Sequence, residues 1–193
     1  MIQLELTSVM NLENAIRGAR NPMNSWARGD SHYDEKGNYI LGPNDLSLAK
    51  RLRLAGPDHR KYIRQIFVSV DITAPLYWWK EYDTYKISTV ANSTSTMHKI
   101  HSKEFALDDF SHERIRQKYL EEKKKEDWYT LIQLLPSSYN QMRTCSMNYE
   151  NLINMYFGRK SHKLMEWHSF CDWIESLPYA SDLILGEKST ESE

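Results

Sequence analysis

Residues 66–74 leave the backbone little freedom. Phe67, Val68, Val70 and Ile72 favour extended conformation, and the run stops at Pro75, so a strand is expected there. Pro75 suits the first turn of a helix, where its missing N–H costs nothing. The helix it opens, over 76–85, begins Leu76-Tyr77-Trp78-Trp79 and is too apolar to be exposed all round. A strand running into such a helix calls for a sheet with helices against it around one core. At 193 residues the chain fits a single domain with a sizeable core.

Other segments read less sharply. Ile2, Leu4 and Leu6 alternate with Gln3 and Glu5, as in a half-buried strand. Asn11 suits the cap of a helix reaching Arg20, and residues 21–43, rich in Asn, Gly, Asp and Pro, read as a long loop. Asn44 or Asp45 would cap a helix over 46–55, stopped by Gly56-Pro57, with a short helix over 58–65 behind it. Residues 112–135 read as one helix with a solvated, charge-paired middle, ended by Pro136. Helices are expected over 137–157 and 161–176, whereas the Ser/Thr-rich stretch 86–101 fits no element clearly. The result is an α+β fold with a small antiparallel sheet and a helical C-terminal half. It forms one domain over 1–186 and a polar tail over 187–193.

Charge narrows the partners. Twenty-five basic residues nearly cancel twenty-six acidic ones, so no global field recruits nucleic acid or a membrane. No run approaches the roughly 20 apolar residues of a membrane span, and Met1–Leu6 does not begin a signal peptide. Cys145 and Cys171 are expected to be reduced thiols in a cytoplasmic protein. His98 and His101, three apart, lack a third ligand at a recognisable spacing, so no metal is expected.

Several clusters each allow two readings. Tyr77, Trp78, Trp79, Tyr82 and Tyr85 suit a ring-stacking surface, or a helix packed between a sheet and a neighbouring subunit. Ser88, Thr89, Ser93, Thr94, Ser95 and Thr96 suit a phosphate cradle, or an irregular backbone satisfied by hydroxyls. The basic run Arg51, Arg53, His59, Arg60, Lys61, Arg64 reads as a solvated helix face, with an anionic-ligand site or the docking of an acidic partner as the alternative. Arg28-Gly29-Asp30 spells an adhesion tripeptide, here by chance.

The stretch from Leu134 onward carries the functional signal. Pro136 is followed by Asn148, by Asn154 six residues later, by Arg159 five after that, and then by Leu164-Met165-Glu166-Trp167. Upstream, Gly56, His59, the strand Phe67-Val68-Ser69-Val70-Asp71-Ile72 and Ala74-Pro75 precede a segment holding Asn92 and Ser95. In order and spacing, residues 44–177 resemble the flavin-dependent thymidylate synthases of the ThyX type. The resemblance implies FAD as cofactor and a homotetramer with sites built between subunits. Asn148, Asn154, Lys86 and Asn92 would then contact flavin, and Arg159 and Ser95 the deoxyuridine nucleotide.

The family's Arg-His-Arg signature falls on Tyr85-Lys86-Ile87, its Gln on Tyr82, its Glu on Ser93, and its last Arg on Met97. Where the family has an Arg two after the first Asn, this chain has Glu150. Phosphate recognition and stabilisation of a reduced flavin both draw on cationic forks. Their loss argues against ordinary methylation of deoxyuridylate and leaves the catalytic residues unassigned. Two rivals follow: a binding or regulatory protein that kept the fold without catalysis, and a different nucleotide-modifying enzyme on the same scaffold.

Overall fold

The computed structural model describes residues 2–186, so the expected tail at 187–193 lies outside the described residues. β1 (Gln3–Met10) and α1 (Leu12–Ala19) are followed by a small hairpin, β2 (His32–Tyr33) and β3 (Tyr39–Ile40), and by α2 (Pro43–Leu54). β4 (Phe67–Pro75) runs into α3 (Leu76–Tyr82), and β5 (Val90–Ser93) comes next. Then follow α4 (Glu113–Lys123), α5 (Trp128–Leu134), β6 (Asn140–Asn148), α6 (Tyr149–Arg159) and α7 (Met165–Glu175). The four-stranded sheet is antiparallel throughout, in the order β1-β4-β6-β5. The architecture is α+β, as expected.

β4 fixes the two faces of the sheet. Val68, Val70, Ile72 and Ala74 are fully buried on one side, and Phe67, Ser69, Asp71 and Thr73 occupy the other. The inner side meets the aromatic helix α3. Trp78 packs against Trp167 and Phe170 of α7, with ring centroids 4.8 and 5.6 Å apart, and stacks on Tyr82 at 5.3 Å. Trp79 donates its indole N–H to the Gln141 carbonyl of β6 at 2.9 Å. The packing reading of the α3 aromatics therefore holds, and the helix that covers them belongs to the same chain. A second, smaller core gathers Ile100, Phe105, Phe110, Tyr119, Leu131 and Tyr139 around α4 and α5.

Three segments depart from expectation. Residues 140–148 form no helix; they form β6, the strand between β4 and β5, paired with β4 from Phe67↔Asn148 to Pro75↔Asn140. Met and Gln favour helix in isolation, but Cys145 and Met147 turn to the core while Thr144 and Ser146 turn out, and nine paired positions outweigh that weak preference. The helix expected over 112–135 breaks in two, because Asp127 accepts the Thr130 N–H at 2.9 Å and caps α5 afresh. The long loop 21–43 contains the β2–β3 hairpin and two short 3₁₀ turns.

That loop is anchored by a buried ion pair. Arg20 Nε lies 2.6 Å from Asp45 Oδ1, and Asp45 Oδ2 accepts from the Ser31 hydroxyl at 2.6 Å and the Ser31 N–H at 3.0 Å. Asp45 is thus an anchor inside the first turn of α2. Its neighbour Asp30 caps the helix, accepting from Asn44 N at 2.8 Å and Asp45 N at 3.0 Å. Gly42 makes this approach possible: a Cβ there would lie 2.3 Å from Asp30 Cγ. Gly42→Ala is expected to cost about 1–3 kcal/mol through overpacking, read as a lower urea midpoint with unchanged m-value. An unshifted midpoint would mean that Asp30 moves aside freely.

Two members of the basic run have structural duties. Arg53 is buried and donates to the carbonyls of Leu183 and Ile184 at 3.0 and 2.7 Å. Arg60 forms a two-pronged pair with Glu150, 2.8 Å at its shortest.

Candidate functional site

α6 and its cap carry three of the residues that the resemblance singled out, and the segment 85–89 folds against the start of this helix. Asn148 ends β6 and caps α6: its Oδ1 accepts the Asn151 N–H at 3.0 Å, and Asn151 Oδ1 accepts the Asn148 N–H at 3.0 Å. Asn151 Nδ2 also donates to the Ile87 carbonyl at 2.8 Å, tying the start of α6 to the segment 85–89. Asn154 lies exposed one turn further on.

Arg159, in the last turn of α6, is held from three sides. Its Nε donates to Tyr85 Oη at 3.0 Å, its NH1 donates to Glu81 Oε2 at 2.9 Å, and its guanidinium lies 4.8 Å from the Trp167 ring centroid. Glu81 is the hub. The same oxygen accepts the Trp167 indole N–H at 2.8 Å and lies 3.3 Å from His162 Nε2. His162 Nδ1 accepts the Leu164 N–H at 3.1 Å, so the ring proton sits on Nε2, facing the carboxylate.

The remaining residues form a second group. Lys86 is exposed and lines a cavity of about 220 Å³ with Tyr82, Asp83, Tyr85, Thr89 and Val90. Asn92 sits on β5 opposite Thr144, on the uncovered face of the sheet. Ser95, just past β5, accepts the His98 N–H at 3.0 Å and lies 2.9 Å from His98 Nδ1. Asn148 and Arg159 are therefore engaged within the chain, whereas Lys86, Asn92 and Asn154 present side chains outward.

Electrostatics separates this site from a ready phosphate cleft. Arg159 holds Glu81, Arg60 holds Glu150, and Arg143 holds Asp83 at 2.8 Å while stacking 4.1 Å above Trp79. A phosphate would have to displace a carboxylate from each. The thiols offer no nucleophile: burial pushes Cys145 and Cys171 up to about 11. Burial, then the hydrogen bond to Glu166, raises the Tyr77 hydroxyl to about 12. Among the described residues, no three His, Cys, Asp or Glu side chains gather as a metal site, and His112 caps α4 instead. Sequence reasoning missed Glu81, Asp83 and Arg143, whose partners are distant along the chain and leave no local signal.

The cap gives a direct test of what Asn148 does. Asn148→Ala is expected to cost about 1 kcal/mol, the usual loss of a helix N-cap. Asn148→Asp should keep the cap and most of the stability while removing the amide. Equal destabilisation of both variants in urea melts would show that the amide itself is structural.

No family model matches the sequence, and no curated protein matches it. Solved structures do. One is the flavin-dependent thymidylate synthase ThyX from Helicobacter pylori complexed with FAD and dUMP, at 16% identity and a TM-score of 0.73, covering 94% of this chain and 97% of that one. A second structure of ThyX from Helicobacter pylori with FAD and dUMP gives 14% identity and a TM-score of 0.72, covering 95% and 97%. The chain thus has a ThyX-like fold along nearly its whole length.

Proposed function

We propose that this chain is a divergent flavin-binding protein of ThyX-like fold. It would take up FAD beside a deoxyuridine nucleotide, in a cleft completed by further copies of itself, without ordinary methylation of deoxyuridylate. The observation that carries the reading is the full-length likeness to structures holding FAD and dUMP. The residues present fit part of such a site. Asn92 and Asn154 are exposed amides suited to the hydrogen-bonding edge of a flavin ring, and Lys86 offers one point charge. When bound, flavin would supply hydride chemistry.

Assembly fits the sheet. Its outer face leaves Met10, Phe67 and Val90 at 44%, 45% and 64% exposure. A homotetramer would cover such a face. No helix among the described residues is long and apolar enough to cross a membrane. We place the protein in the cytoplasm.

The alternative is a protein that binds or regulates without catalysis, and the Glu81–Arg159 pair favours it, since that guanidinium is already neutralised. The absorbance spectrum after incubation with FAD and desalting decides between the two. Retained flavin, with no rescue of thymidine-requiring cells, is the expected result. A folded oligomer that retains no flavin would overturn the flavin reading and favour the alternative. Rescue would overturn the claim about methylation.

A further inference from the structure

We infer that the chain carries a site for the methylated ammonium head of a small organic cation, in a cavity between the start of α1 and the β2–β3 hairpin. The cavity holds about 500 Å³ and is lined by Glu13, Asn14, Tyr33, Asn38, Tyr39 and Tyr179 among others. No basic residue lines it, and none of the residues assigned above to flavin or nucleotide does.

Three tyrosines meet here from two distant parts of the chain. Tyr33 and Tyr39 stand directly opposite on the β2–β3 ladder, which puts their side chains on one face, with ring centroids 5.2 Å apart at 60°. Tyr179 joins them from beyond α7, and its hydroxyl accepts the Leu41 N–H at 2.9 Å. A ring face attracts a cation through its quadrupole, and Val9, Leu12 and Pro178 give N-methyl groups an apolar surround. Glu13 is the single charged residue of the lining, and it makes no salt bridge among the described residues. Its Oε2 accepts the Tyr33 hydroxyl at 2.6 Å, which fixes the carboxylate beside that ring. An anion would be repelled here, and a neutral ligand would leave Glu13 without a counter-charge, whereas a cation meets carboxylate and rings together. Glu13 Oε2 and Asn11 Oδ1 already accept from Tyr33 and Asn14, so a primary ammonium would be short of partners for its three N–H groups; a methylated one needs none.

The walls are set in advance. Asp34 closes the hairpin turn, accepting the Lys36 N–H at 2.9 Å, the Asn38 N–H at 2.7 Å and the Asn38 side-chain amide at 2.9 Å, while Gly37 supplies the left-handed residue at φ 80°. Tyr179 is also left-handed, at φ 56°, a conformation that bulky residues rarely adopt, and the Leu41 bond holds it there. That costly backbone seats Tyr179 against the hairpin. A ligand therefore meets formed rings and does not have to order a loop. The stretch 21–43, too long for a plain connection in a compact domain, thus acquires a role.

Ligand-observed NMR titration of the full chain with choline at low ionic strength tests this, with the uncharged analogue in which carbon replaces the choline nitrogen as control. Saturable binding of choline, and none of the analogue at the same concentrations, is expected. Glu13→Gln and Tyr33→Leu should each weaken choline binding about three-fold or more, the scale of a carboxylate or a ring face acting on an exposed cation. Tyr33→Phe keeps a ring face and should bind as wild type, and so should Glu121→Gln, which removes a carboxylate on α4. Thermal melts would establish that every variant is folded. Absence of saturable choline binding by the wild type, equal binding of the uncharged analogue, or wild-type affinity in folded Glu13→Gln and Tyr33→Leu would overturn the inference. Flavin retention should be unchanged in these variants, so this site and the proposed flavin site stand or fall separately.

Discussion

Asp45→Ala is expected to destabilise the fold by about 3–5 kcal/mol, the usual result of stripping one partner from a buried ion pair. Arg20 and Asp45 are 6% and 2% exposed, so the stranded guanidinium would find little water. The carboxylate also serves the Ser31 hydroxyl and the N–H groups of Asp30 and Ser31, which would lose their acceptor together. A loss below about 1 kcal/mol in urea melts would show that the pair behaves like a surface bridge.

Acidity should reach the same contact. Burial opposes the charged form of Asp45, but the Ser31 hydroxyl, the Arg20 guanidinium and the backbone N–H groups outweigh it and hold the carboxyl below its usual range. A carboxyl depressed on folding contributes stability that is complete above its unfolded pKa, about 3.9, and is lost as pH falls through the folded value. The stability gap between wild type and Asp45→Asn should therefore stay level from neutral pH to about 4 and narrow below it. A gap that is constant down to strong acid would mean that the carboxyl is not the source.

What the sequence displayed was local. The β4–Pro75–α3 passage could be read because a β-branched run, a proline and an apolar helix start sit side by side. β6 could not, because nothing in Asn140–Asn148 outweighs helix propensity until β4 and β5 lie on either side of it. The break between α4 and α5 was legible in principle: Asp127, a good N-cap residue, stands directly before the apolar-rich Trp128–Leu134, but it also ends a charged run whose pairing suits one continuous helix.

The site divides in the same way. The resemblance singled out Asn148, Asn154 and Arg159, and it stops short of what those side chains touch. The Asn148–Asn151 interval is that of a capping box, so the structural duty of Asn148 could have been read beside the functional one. The neutralisation of Arg159 could not, since Glu81 lies 78 residues away. The identity of the α3 aromatics as core followed only when α7 was seen to cover them.

Trp78→Ala should cost about 3–5 kcal/mol, the range for emptying a fully buried large aromatic site. The informative comparison is with phenylalanine. Trp78 and Trp79 are neighbours at 0% and 1% exposure, so Trp→Phe removes similar buried area from each. They differ in one bond. The Trp79 indole N–H donates to Gln141 O, whereas the Trp78 indole N–H finds no partner among the described residues. An unsatisfied buried donor carries a desolvation penalty of about 1–3 kcal/mol, which Trp78→Phe relieves and Trp79→Phe does not. Trp78→Phe should thus be the milder change in urea melts, and the reverse order would mean that water reaches the Trp78 nitrogen. The consequence extends to Arg159. Trp78 packs directly on Trp167, the ring beneath that guanidinium, so the alanine variant should also loosen the Glu81–Arg159–Trp167 cluster, where the fold meets its proposed ligand.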